Sequence, residues 1–93
     1  MLLYIIVYDI TCNKRRHKIA TLLEGYGTRV QYSVFECVLS NIKYQELQKR
    51  LQPQLNFAED NIRFYPLSQH TRDRVETWGV SVSLTAPPTS IVI

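Results

Sequence analysis

Residues 2 to 8 read Leu-Leu-Tyr-Ile-Ile-Val-Tyr, seven apolar or aromatic side chains without a polar break, and Asp9 follows at once. A strand with one wet face alternates apolar and polar side chains. A run without alternation is covered on both faces or lies in the middle of a sheet. This run predicts a central strand, and any fold for the chain must be built around it. It is far too short to cross a bilayer as a helix, which takes about 20 residues, so no membrane association is expected. The chain has 93 residues, 45% of them hydrophobic and 20% charged, which describes one ordinary globular domain. A domain this small buries a modest share of its surface, so pairing with a second copy would add stability, and self-association is expected.

Past Asp9, Thr11 and Asn13 can each cap a helix, and Ile19, Leu22, Leu23 and Tyr26 recur at the spacing of one helical face. A helix is predicted over about 13 to 25, ending near Gly25 and Gly27. Residues 28 to 40, TRVQYSVFECVLS, are rich in strand formers and long enough for two short antiparallel strands. No Asn-Gly or Asp-Gly marks the turn between them, so its position is left open. Ser40 and Asn41 can cap a second helix with Tyr44, Leu47, Leu51 and Leu55 on one stripe, which Pro53 must kink or end. NIRFYPL, from Asn61 to Leu67, reads as a further strand, and Arg74 to Val82 as one more. The order β-α-β-β-α-β is the split βαβ pattern. It folds as an α+β, ferredoxin-like two-layer sandwich, with two helices on one face of an antiparallel sheet whose centre holds the first and third strands. The domain is expected over 1–82, with 83–93 as an uncharged tail that either docks on a partner or stays unpaired.

Asp9 stands where the first strand hands the chain to the first helix. Its carboxylate either caps that turn or acts as a ligand. Lys14, Arg15, Arg16 and Lys18 bring four of the chain's eleven cations, with His17 among them, into the first turns of that helix. Cations there oppose the helix dipole at a cost of roughly 0.3 to 1 kcal/mol each, so helix stability does not account for them. With the apolar stripe facing inward, Arg15 and Arg16 fall at its two borders and Lys14, His17 and Lys18 point outward. Such a cluster is either a solvated helix face or a grip for phosphate oxygens, to which the planar fork of arginine is suited. No other acid occurs in the first twenty-three residues. Magnesium can be held by one or two carboxylates when water and substrate phosphate complete its shell. In a twofold dimer with Asp9 near the axis, the second carboxylate would come from the second copy. Cys12 and Cys37 lack zinc-site spacing, and with no secretory signal pattern at the N-terminus a reducing cytoplasm is expected. His17 and His70 read as surface residues and Cys37 as a small buried one. The net charge of +3 is mild, so the position of the cations carries any case for a polyanionic partner.

The combination of YIIVYDIT, KRRHK and GTRVQYSVFECVLS, followed by a short helix and a strand ending in Pro-Leu, resembles the small CRISPR-associated protein that partners the integrase in spacer acquisition, the Cas two family. The resemblance spans about the first seventy residues without large gaps. It implies a ferredoxin-like homodimer, a metal-dependent endonuclease acting on RNA or double-stranded DNA, and a scaffold that bridges integrase subunits and holds DNA. It implies that Asp9 is the metal-binding, catalytic acid, with magnesium or another divalent cation, and that Tyr8, Arg16, Lys18, Arg29 and Phe35 occupy matching positions of the family's site. Arg15 joins them as a candidate contact from its place on the helix. Phe35 can stack on a base or fill the core. The resemblance also implies that the strand VETWGVSV pairs with the partner chain. Two functions compete: a magnesium-dependent endonuclease, and a non-catalytic DNA-binding scaffold. A related toxin-type ribonuclease is a third reading.

Overall fold

The computed structural model describes residues 1–80 and 84–86. Strand β1 (Leu2–Asp9) is followed by helix α1 (Asn13–Glu24), the hairpin β2 (Thr28–Gln31) and β3 (Val34–Leu39), helix α2 (Asn41–Leu51), strand β4 (Asn61–Leu67) and the short helix α3 (Gln69–Arg72). The sheet order is β2-β3-β1-β4, and every pairing is antiparallel. This is the expected ferredoxin-like sandwich, with β1 and β3 in the centre.

Alternation along β1 divides its apolar run between two faces. Tyr4, Ile6 and Tyr8 point into the core with Ile19, Ala20 and Leu23 of α1, Phe35, Cys37 and Leu39 of β3, and Leu47 and Leu51 of α2. Leu3, Ile5, Val7 and Asp9 point to the other face. Tyr44 of α2 stacks on Tyr4, with ring centroids 4.0 Å apart, so the helical stripe sits directly on the central strand. Cys37 is fully buried, and burial pushes its thiol up to about 11. Ser40 caps α2 by accepting the Lys43 N–H at 3.2 Å, and Pro53 lies in a 3-10 turn at Gln52–Gln54 just past the helix. At α1 neither Thr11 nor Asn13 is the cap. Cys12 holds that position without a side-chain bond, because the Asn13 side chain accepts from Arg16 instead.

Among the described residues, the face away from the helices is covered at one end only. Leu3 and Val38 are buried there, while Ile5, Val7 and Val34 are half-exposed and Tyr65 is exposed. The cover comes from the C-terminal part of the chain. Arg72 donates to the Thr85 carbonyl at 2.6 Å, and Thr85 donates from its N–H and hydroxyl to the Glu36 carboxylate of β3. Residues 74–80 of the additional strand expected over 74–82 do not form a strand in the single chain: α3, capped by Ser68, turns the chain toward this face instead of along the free edge of β4. Residues 81 and 82, and most of the tail over 83–93, lie outside the described residues.

Candidate nucleic-acid interface and metal ligand

The basic first turns of α1 present their side chains as the helical projection requires: Lys14, His17 and Lys18 are exposed, and Arg15 and Arg16 are half-buried on its two flanks. The flanks have different neighbours. Arg15 donates from Nε to Asp60 Oδ2 at 2.8 Å and from Nη2 to Asp60 Oδ1 at 2.9 Å, with Glu59 Oε1 at 3.1 Å. The Asp60 side chain is only 1% exposed and also accepts the Asn56 N–H at 2.9 Å. This bidentate fork ties α1 to the connection before β4 and holds the Asp60 carboxyl below the usual carboxylate range. Three of the five N–H donors of Arg15, on Nε and Nη2, are thus engaged by two carboxylates, which turns the group away from the phosphate contact expected of it and toward the connection before β4.

Arg16 lies on the opposite flank. Its Nη1 donates to the Ile10 carbonyl at 2.8 Å, its Nη2 donates to Asn13 Oδ1, and its guanidinium stands 5.8 Å from the centre of the Tyr32 ring. Two of its five N–H donors are used, which fixes the group without saturating it. Arg29, exposed on the edge strand β2, lies 5.4 Å from the centre of the Phe35 ring. Tyr8, Asn13, Arg16, His17, Ala20, Arg29 and Tyr32 line one concavity of about 340 Å³. The Tyr8 ring is buried but its hydroxyl donates to the Tyr32 carbonyl at 3.5 Å; burial raises its pKa against the lowering pull of Arg29, so it remains a proton donor at neutral pH. Phe35 is fully buried beneath Arg29, which corrects the base-stacking expectation: its ring is core and a floor for the cation.

Two other candidates lie elsewhere. Lys18 lines a separate groove of about 970 Å³ between α1 and α2, together with Lys43, Glu46 and Arg50. Asp9, alternating with Tyr8, belongs to the open face of the sheet and is not part of the cationic concavity. Its carboxylate is exposed, opposite Asn61 in the β1–β4 register, and has no ion pair with any described cation. No group of three or more potential metal ligands occurs among the described residues. A free, exposed oxygen donor is the kind of ligand magnesium takes; one chain supplies one such carboxylate here, and water, phosphate oxygens or a second copy would have to complete the shell. Sequence reasoning missed Tyr32 and Asn13. The signal for Tyr32 was an aromatic three residues after the cation Arg29 in RVQYSVFE, offered by a turn.

Comparison with known proteins matches residues 1–75 to the family model described as CRISPR associated protein Cas2. The chain is 57% identical over 93 residues, the whole of both proteins, to the CRISPR-associated endoribonuclease Cas2 3 of Synechocystis sp.. Among solved structures it is similar to Streptococcus pyogenes Cas2, with a TM-score of 0.73 and 35% identity, covering 83% of this chain and 99% of that one. It is equally similar in fold to a chain of a partial Cas6-RT-Cas1–Cas2 complex, with a TM-score of 0.73 and 34% identity over 83% of this chain and 90% of that one. With the sheet order and these matches in agreement, the chain belongs to the CRISPR-associated Cas2 family.

Proposed function

We propose that the chain works as a homodimer that grips a nucleic acid with Arg16, Arg29 and Lys18 and hydrolyses a phosphodiester bond with a divalent cation, magnesium, held by Asp9 of the two copies. The observation that carries this reading is the position of Asp9, a free carboxylate at the rim of a sheet face whose apolar centre, Ile5, Val7 and Val34, is left half-exposed by the described residues. A second copy packed on that face would bury the apolar centre and bring the two carboxylates toward one axis. Bound there, the cation would polarise a phosphoryl oxygen and lower the pKa of a water. The chain's own part is to supply the two oxygen ligands and to hold the backbone. Arg16 and Arg29 bind phosphate oxygens from the concavity, with their guanidinium planes fixed by Ile10, Asn13 and the rings of Tyr32 and Phe35. The name endoribonuclease on the 57% identical relative supports the cleavage reading. The similarity to a chain of a Cas1–Cas2 complex supports an integrase subunit as a further partner.

Replacing Asp9 with Asn tests it. Magnesium-dependent cleavage of RNA or duplex DNA should be lost while binding is retained; cleavage by the variant at the wild-type rate would refute the role of Asp9. A non-catalytic scaffold is favoured by one observation, the separation of Asp9 from the cationic concavity. On that reading wild type and Asp9→Asn both bind DNA and neither cleaves.

A further inference from the structure

Tyr32 occupies the first of the two turn residues between β2 and β3, and it is 70% exposed. Turn positions ordinarily favour Gly, Asn, Asp or Ser, for reasons of backbone conformation and local hydrogen bonding. A large aromatic is not required by this turn, and its ring takes no part in the core. The ring is nevertheless held. The turn is fastened to β1 through the Tyr8 N–H, which donates to the Ser33 carbonyl at 3.2 Å, and through the Tyr8 hydroxyl on the Tyr32 carbonyl. The guanidinium of Arg16, itself fixed by Ile10 and Asn13, stands over the ring. The concavity it borders is lined mainly by polar and cationic side chains, Asn13, Arg16, His17 and Arg29, with Tyr8 and Ala20 at its base. Tyr65 differs: its hydroxyl accepts from one cation, Arg63, at 3.0 Å, and it stands opposite the half-exposed Ile5 on the open face, with no second arginine beside it among the described contacts.

An exposed aromatic held rigid among cations is the arrangement that receives a base and its phosphates: each base has a π-face, and stacking on an aromatic is tolerant of sequence. In a continuous duplex both faces of every internal base are already covered by their neighbours, so such a ring discriminates for unpaired nucleotides. We infer that Tyr32 is a stacking platform for an unpaired base, with Arg16 and Arg29 holding the phosphates on either side of it. The inference rests on the nucleic-acid reading above and adds a strand preference to it: a single strand or a single-stranded end is favoured at this concavity over closed duplex.

The test is binding by fluorescence anisotropy, in EDTA so that no cleavage intervenes, with a short single-stranded DNA carrying 2-aminopurine and with a blunt duplex of the same sequence. Tyr32→Ala should weaken single-strand binding by about tenfold. It should leave duplex binding and the salt dependence of both unchanged, since no charge is removed. Tyr32→Phe and Tyr32→Trp should bind single strands as wild type does. The 2-aminopurine emission change on binding should be present in wild type and absent in Tyr32→Ala. Equal losses on single strand and duplex, a Tyr32→Phe variant as weak as Tyr32→Ala, or an unaffected Tyr32→Ala each overturn the stacking role while leaving the nucleic-acid reading intact. A wild-type protein that binds neither probe overturns both.

Discussion

Arg15 and Arg16 are adjacent in sequence, identical in chemistry and opposite in use. One is held by Asp60 and Glu59, the other faces a concavity with three donors left over. The difference is set by residues 44 and 45 positions away that the α2–β4 connection brings to one flank of α1. Local sequence carried the two border positions on the helix but not the choice between them. The Arg15–Asp60 fork should be structural, and its pH dependence follows from the depressed Asp60 pKa. A carboxyl held low in the folded state contributes stability above its unfolded pKa of about 3.9, and loses it as pH falls through the lower folded value. Asp60→Asn should therefore lower Tm at neutral pH by about a few degrees. The gap to wild type should be constant above about pH 5 and close as pH drops below about 4; thermal melts followed by circular dichroism across that range check it. Arg15→Ala should show the same stability loss with single-strand binding close to wild type. Arg16→Ala should weaken binding and reduce its salt dependence.

The elements that were legible in the sequence are those whose signal is continuous. The unbroken β1 run and the stripe of Ile19, Leu23, Leu47 and Leu51 each point to one packing arrangement, and the core contains Tyr4, Ile6 and Tyr8 of the run with all four of the stripe. The β2–β3 turn was not legible, because no non-glycine residue near it adopts a positive φ and no Asn-Gly or Asp-Gly is needed; the register shift between Arg29 and Gln31 takes up the geometry instead. That irregularity is also why the convergence of Arg16, Arg29 and Tyr32 could not be read from spacing alone. Residues 74–80 of the additional strand have strand composition but follow a helix that turns away from the free edge of β4, and they form no strand within the single chain. Gly27, between α1 and β2, shows how tightly these elements meet. A Cβ there would run into the Glu36 carbonyl oxygen and the Cys37 Sγ, and come within 2.8 Å of the Cys37 Cα. Its φ is not positive, so the constraint is space and not backbone conformation. Gly27→Ala should push β2 away from β3 and cost about 1 to 3 kcal/mol, read as a shift of the urea midpoint. Gly25→Ala meets only the Leu22 carbonyl oxygen at ordinary contact distance and should be nearly neutral.

At the scale of the whole molecule the two faces of the sheet divide the work. The helix-side rim gathers cations, and the open face carries the apolar centre with Asp9 at its edge. If two copies meet on that face, the like charges of the two Asp9 carboxylates oppose association until a cation lies between them, so dimerisation and magnesium binding must be linked. Three results follow in sedimentation or native mass measurements. Val7→Asp, which places a charge in the half-exposed centre, should give a folded monomer with an intact cationic concavity, since its neighbours Ile6 and Tyr8 are untouched in the core. Wild type should dimerise more tightly as magnesium is added, the gain reaching about 2.7 kcal/mol when the ion is present at a hundred times its dissociation constant. Asp9→Asn should dimerise without metal at least as well as wild type does, because the repulsion is gone, and magnesium should no longer tighten it. A wild-type dimer indifferent to magnesium, with Asp9→Asn indistinguishable from it, would separate the carboxylates from the axis and leave the open face as an apolar interface alone.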